Sequence, residues 1–127
     1  MTEQLQPAQH QMLIDYNQLL DALSDGFAYL GENITDPAPP EADQVFRDII
    51  NALEQMNHSH DQMAVLFPGE QLERLMEDFR DLTDMLLGWY DHESNESKRQ
   101  LLTSQVIPIY VSWKQQMRNF LEPYLVH

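Results

Sequence analysis

The sequence contains no cysteine among its 127 residues. Thiolate metal sites, thiol nucleophiles and disulfide bonds are therefore excluded. No stretch approaches the roughly 18 consecutive apolar residues of a membrane span, and the first ten residues have neither a basic region nor an apolar core. These features predict a cytoplasmic protein that makes no membrane contact and is stabilised by side-chain packing.

Basic residues are few and come late in the chain. Seven Lys and Arg oppose 21 Asp and Glu, which gives a net charge of −14, and the first basic residue is Arg47. The electrostatic field of such a negative charge repels nucleic-acid phosphates and anionic lipids, so no direct binding to nucleic acid is expected. A basic or apolar protein partner suits this charge, although acidity also serves solubility alone.

Glycine is scarce too, with four residues in the chain. No Gly-rich phosphate loop and no Gly-x-Ser-x-Gly elbow occurs. The sequence therefore predicts no catalytic residue of the nucleophile type and no cofactor site.

Apolar residues at alternating spacings of three and four recur in four blocks, which is typical of helices with one buried face. We expect a single all-α domain over residues 1–127, an antiparallel up-down-up-down four-helix bundle, because short connections favour antiparallel neighbours. Prolines at 37, 39 and 40, the turn Pro68-Gly69 and the polar stretch 91–95 separate the blocks. The predicted helices span about 7–33, 40–66, 69–91 and 95–121.

The predicted core follows the same spacing along each helix. Its positions are Leu13, Tyr16, Leu20, Leu23, Phe27, Leu30 and Ile34, then Ala42, Phe46, Ile49, Leu53, Met56, His60 and Met63, then Leu72, Leu75, Phe79, Leu82, Leu86 and Trp89, and finally Leu102, Val106, Ile109, Trp113, Met117, Phe120 and Tyr124.

Three residues predict local departures from regular helix. Pro108 removes a backbone donor and clashes with the preceding turn, so the fourth helix should be kinked or broken near it. Pro123 should end that helix early. Gly26 favours close approach of a second helix over the alternative of a glycine that is merely tolerated.

Histidine and carboxylate side chains on the second helix are the densest set of potential metal ligands. Glu54, His58 and Asp61 have helical spacing, but His60 points away from His58 and belongs to the apolar seam. The Glu-x-x-His pairs of carboxylate-bridged metal bundles are missing. We therefore expect no metal site and a hydrogen-bonded core histidine at position 60.

Paired acids suggest an enzymatic alternative, a metal-dependent all-α nucleotide hydrolase. The pairs Glu70/Glu73 and Glu93/Glu96 have the spacing used to hold magnesium, and Glu77, Asp78, Asp81 and Asp84 form a longer acidic run. Solvated helix faces have the same pattern, and phosphate-binding basic residues are not nearby. The alternative requires carboxylates that converge from two helices.

Apolar residues beside the predicted buried stripes indicate a surface that binds partners. Such residues widen an apolar stripe into a groove, and methionines suit an adaptable binding surface. The candidate partner-binding residues are Tyr29, Met76, Met85, Tyr90 and Tyr110. Excess apolar surface of this kind also makes a homodimer plausible.

Two segments resemble a known group of proteins. Residues 19–30 (LLDALSDGFAYL) and 46–53 (FRDIINAL) are similar to small uncharacterised helical proteins of Gram-positive bacteria. That resemblance implies no activity and no functional residues. Size, acidity and helix count also resemble flagellar and secretion export chaperones at the level of the fold.

The sequence thus favours a non-enzymatic protein-binding module, chaperone- or adaptor-like, which binds a partner helix or a basic or apolar protein surface. An acidic mimic of DNA, which inhibits a nucleic-acid-binding protein, is the first alternative. The nucleotide hydrolase is the second.

Overall fold

The computed structural model describes residues 5–125, apart from the side chain of Tyr90. Within that range the chain is helical and contains no strand. The elements are α1 (Pro7–Asn33), α2 (Pro40–Leu66), α3 (Glu70–Leu87), a 3₁₀ turn (Gly88–Asp91), α4 (Asn95–Leu101), a π segment (Leu102–Val106) and α5 (Ile107–Leu125). The last three follow one another without a break, so the described chain forms four helical stretches. None of its helices has the length and hydropathy required to cross a membrane.

Proline and glycine set the ends of the first three helices. Pro7 and Pro40 each occupy the first helical position, where a missing N–H leaves no helical bond unmade. Before α3, Gly69 has φ of 154°, a backbone conformation that residues with a Cβ atom rarely adopt. Glu70 and Glu73 then lie at the positive end of the helix dipole.

The start of α4 is fixed by two side chains. Ser94 Oγ accepts a hydrogen bond of 3.1 Å from the backbone N–H of Ser97 and caps the helix. The amide of Asn95 donates to the Thr35 carbonyl at 2.8 Å. The connection after α1 therefore lies against the beginning of α4.

The core confirms the stripes predicted for the first three helices, since all of those positions are buried. Trp89 belongs to the same core, but it lies in the 3₁₀ turn because the α-helix ends at Leu87. Its ring stacks on Phe46 with 4.6 Å between ring centroids. The start of α2 is thereby packed against the turn after α3.

In the fourth stretch the predicted register is wrong by one residue at two places. Tyr110 and Leu121 are buried, whereas Ile109 is 41% exposed and Phe120 is half-buried. Trp113 and Met117, which lie between these two places, are buried as predicted. Spacings of three and four residues are both helical, so the spacing from these two residues fits either choice. Tyr124, also predicted in the core, is half-buried as well.

The end of α5 also differs from the prediction. The helix passes through Pro123 and extends to Leu125. The last turn is packed against Phe67, whose ring centroid lies 4.3 Å from that of Tyr124.

Candidate partner-binding surface

Tyr110, one of the predicted surface residues, lies in the core. Its side chain is 1% exposed, and its hydroxyl donates to the Leu20 carbonyl at 2.6 Å. The predicted surface position of Tyr110 is therefore wrong. Ile109 and Tyr110 both have helical spacing from Trp113, so the spacing does not distinguish them. Burial raises the pKa of the phenol well above its usual value.

The remaining predicted residues are partly accessible where they are described. Tyr29, Met76 and Met85 are half-buried, and the side chain of Tyr90 lies outside the described residues. Met85 follows Met76 by nine positions, so the two methionines lie about half a turn apart around α3, at roughly 100° per residue. The buried stripe of α3 runs between them.

His60 is the buried histidine that the sequence predicted. It is 3% exposed and shares a hydrogen bond of 2.7 Å between Nε2 and the hydroxyl of Tyr16. The Phe79 ring meets it edge-on at 4.6 Å, and Trp113 lies at 6.3 Å. Loss of hydration on burial lowers the pKa of His60 to about 4, so the ring is neutral at pH 7.

The possible metal ligands around His60 do not converge. His58 and Asp61 are exposed, whereas His60 faces the core. Across residues 5–125, no group of three His, Asp or Glu side chains is close enough to hold a metal ion. The acidic pairs Glu70/Glu73 and Glu93/Glu96 thus form no three-ligand site in the part of the chain that is described.

A charged cluster joins α1 to α5. The Asp21 carboxylate lies 2.9 Å from Lys114 Nζ and 2.6 Å from Arg118 Nη2, and these two cations hold the pKa of Asp21 below its usual value. Lys114 also donates to Ser24 Oγ at 2.7 Å, and Arg118 Nε donates to Asn17 at 3.2 Å. Both basic side chains of α5, Lys114 and Arg118, therefore bond to residues of α1.

Beside this cluster, an open cleft of about 340 Å³ lies between α1 and the end of α5. It is bordered by amides, one ion of each sign and one apolar residue: Asn17, Gln115, Arg118, Asn119, Glu122 and Leu125. The Gln115 amide donates to Asn119 Oδ1 at 3.0 Å, and Arg118 is already paired with Asp21. Much of the polar lining is thus bonded to other protein groups.

Three aromatic side chains meet where α2 ends and α5 ends. We call Phe67, Phe120 and Tyr124 the end cluster. The ring centroids of Phe67 lie 4.3 Å from Tyr124 and 5.8 Å from Phe120, and those of Phe120 and Tyr124 are 6.3 Å apart. All three residues are half-buried and pack against the core. Leu125, also half-buried, follows Tyr124 directly.

The sequence did not predict this cluster. Phe120 and Tyr124 were predicted in the core, and Phe67 directly precedes the turn Pro68-Gly69 and had no place in a predicted stripe. A large aromatic residue directly before a Pro-Gly turn is itself an unusual signal, because turns are mostly polar.

Comparison with protein families finds one match, and the function of that family is unknown. The family model described as Domain of unknown function (DUF8042) matches residues 11–116. No curated protein and no solved structure matches the chain.

Proposed function

The chain belongs to the DUF8042 family, and from that premise we propose that it is a non-enzymatic protein-binding module, chaperone- or adaptor-like, whose docking surface is the end cluster. The observation that carries the proposal is the contact between three half-buried aromatic rings. Aromatic side chains are enriched at protein interfaces, where they bury a large apolar area at low entropic cost. Among the described residues, four other large hydrophobic side chains are exposed, and exposed apolar residues are ordinary on a protein surface: Val65, Leu87, Ile109 and Val111.

The proposal includes an up-down-up-down arrangement of the four helices. Tyr16 contacts His60 while Gly26 lies against Ile49, so residue numbers fall along α2 as they rise along α1. In the same way Phe46 meets Trp89 while His60 meets Phe79. This order brings the end of α2 and the end of α5 to one end of the bundle, where the end cluster forms.

A bend in the fourth stretch belongs to the same proposal. The π segment ends two residues before Pro108, and proline and π turns are both recognised causes of bends in helices.

Affinity capture from the native cytosol tests the docking surface. The bait is the wild type beside two double variants of similar size: Phe67→Ala/Tyr124→Ala in the end cluster and Tyr29→Ala/Met85→Ala on the surface predicted from sequence. We expect one protein that binds the wild type and the Tyr29/Met85 variant at moderate salt and is lost from the Phe67/Tyr124 variant. Circular dichroism and thermal melting of each bait verify folding. Recovery of the partner in the soluble fraction of lysed cells tests the cytoplasmic location.

Each alternative has its own signature in the same experiment. A partner lost from the Tyr29/Met85 variant alone overturns the end cluster in favour of the sequence-predicted surface. A nucleic-acid-binding partner that is released by salt and retained by both variants favours the acidic DNA mimic. Magnesium-dependent nucleotide hydrolysis by the purified protein favours the hydrolase and contradicts the proposal.

A further inference from the structure

We propose that the open cleft between α1 and the end of α5 binds a small zwitterion of the α-amino-acid class. The cleft is a different site from the end cluster, and the inference goes beyond the proposed docking function. It is carried by the side chains that line the cleft and by the bonds that those side chains already make.

A cation and an anion line the cleft without neutralising each other. Arg118 and Glu122 both border it, and they lie about one helical turn apart on α5. Oppositely charged residues at this spacing often form an ion pair. Arg118 instead contacts Asp21 on α1, with 2.6 Å between Nη2 and the carboxylate. Within residues 5–125 the Glu122 carboxylate makes no hydrogen bond and no ion pair, so it is available to a positively charged group of a ligand.

Arg118 keeps donors for a second, negatively charged group. Its Nε donates to Asn17 Oδ1 at 3.2 Å and its Nη2 contacts Asp21, whereas Nη1 has no contact with another described side chain. Because a guanidinium has five N–H donors, a carboxylate can bind at Nη1 while both bonds to α1 remain. Asn17 accepts with its oxygen, so its NH2 group is a further donor beside Arg118.

Neutral amides and one apolar residue complete the lining. The Gln115 amide donates to Asn119 Oδ1 at 3.0 Å, and this bond uses one of the two polar atoms of each side chain. The other atom of each remains to bind polar groups of a ligand. Leu125 lies about one turn beyond Glu122, so an apolar side chain of the ligand can pack against it.

Size and charge together indicate the class of ligand. The volume of about 340 Å³ lies at the small end of the range of ligand sites, roughly 300–1,000 Å³. The chain has a net charge of −14, which repels an isolated anion and attracts cations of any shape. A zwitterion has no net charge, and it pairs its carboxylate with Arg118 and its ammonium group with Glu122. An α-amino acid has both groups on one carbon atom, which also holds its side chain.

Three small molecules that differ in one charged group test the inference. L-Leucine is compared with isocaproate, which lacks the ammonium group, and with isoamylamine, which lacks the carboxylate. Binding to the wild-type protein is followed by NMR, through the side-chain NH2 signals of Asn17 and Asn119. We expect leucine to bind with a Kd of about 1 mM or lower, and each of the other two molecules to bind at least about tenfold more weakly.

Two variants that each remove one negative charge locate the site. Glu122→Gln removes the proposed partner of the ammonium group, and Glu93→Gln removes an exposed carboxylate elsewhere. We expect Glu122→Gln to weaken leucine binding about tenfold and Glu93→Gln to change it less than about twofold, because distant charges are screened. Arg118→Lys keeps a cation for Asp21 but has a single nitrogen, so it should also weaken binding about tenfold. Thermal melting of each variant verifies folding.

Several results would overturn the inference. If isoamylamine binds as tightly as leucine, the protein attracts cations through its net charge and recognises no zwitterion. Equal losses in Glu122→Gln and Glu93→Gln would have the same meaning. If leucine leaves the amide signals of the wild type unchanged up to about 10 mM, the cleft does not bind this class of ligand. The end cluster is tested by its own variants, so either proposal can fail while the other stands.

Discussion

The hydroxyl of Tyr16 and Nε2 of His60 share a hydrogen bond of 2.7 Å inside the core, and it ties α1 to α2. Both side chains are almost fully buried, at 1% and 3% exposure. A buried polar atom that loses its hydrogen-bond partner still carries the free-energy cost of dehydration, and no hydrogen bond offsets that cost. The pair therefore stabilises the fold mainly because neither member is left unpaired.

Tyr16→Phe should destabilise the protein by about 1–3 kcal/mol, since it leaves the His60 nitrogen buried without this partner. Chemical unfolding followed by circular dichroism measures the change in free energy. Tyr29→Phe removes a hydroxyl from a half-buried tyrosine and should change stability by less than about 0.5 kcal/mol. Equal losses of stability in the two variants would show that the buried hydrogen bond contributes no more than the hydroxyl of Tyr29.

Stability should fall as the pH drops from about 6.5 to about 4. The pKa of His60 is about 4 in the folded protein, because burial outweighs the attraction of Asp61, and about 6.5 in the unfolded chain. Between these pH values the unfolded chain binds a proton that the folded protein does not. The free energy of unfolding therefore falls progressively as the pH drops, by roughly 3 kcal/mol at pH of about 4. Above pH 6.5 the group adds no pH dependence.

Proton NMR of the imidazole resonances tests this directly. The His60 ring should titrate with a midpoint near 4 in the folded protein, and His60→Gln identifies its signals by their loss. A midpoint near 6.5 would mean that the ring is hydrated and would contradict the burial of the pair.

Gly26→Ala should destabilise the protein by about 1 kcal/mol, even though alanine is the better helix former. A Cβ atom at position 26 would lie 2.9 Å from Cγ1 of Ile49, an atom close to the backbone that has little room to move. Gly88→Ala is the control, because no heavy atom lies within 4 Å of the added methyl group. Thermal unfolding should show a lower midpoint for the first variant and an unchanged or higher one for the second.

Asp21→Asn should cost no more than about 1 kcal/mol, because the carboxylate is largely exposed despite its two cationic partners. The loss should shrink as salt screens the wild-type pairs. Unfolding in low and high sodium chloride measures this dependence. A large loss that salt does not alter would mean that the cluster is shielded from solvent.

The stripes of α1, α2 and α3 were predictable because each offers one apolar set at regular spacing. The fourth stretch was not, since Ile109 and Tyr110 are adjacent and both are suited to a core. The structure buries Tyr110, whose hydroxyl bonds to the carbonyl of Leu20, 90 positions away. Helical periodicity contains no information about that contact.

The end cluster could not be predicted from the sequence for a related reason. Phe67 lies outside any helix, so periodicity assigns it no face, and its ring partners come from the other end of the chain. Phe120 and Leu121 both have helical spacing from Met117, so periodicity does not decide which of them is buried. The proposed docking surface, made from the end of α5 and the turn after α2, becomes visible only when the helices are assembled.

Site-specific photo-crosslinking in living cells tests the central claim most directly. A photoreactive phenylalanine analogue is placed at Tyr124 in one strain and at Tyr29 in another, and crosslinked products are separated by mass. We predict a discrete product with a second protein from position 124 and none from position 29. A product from position 29 alone, or none from position 124 while the protein is folded and abundant, would contradict the assignment of the end cluster as the docking surface.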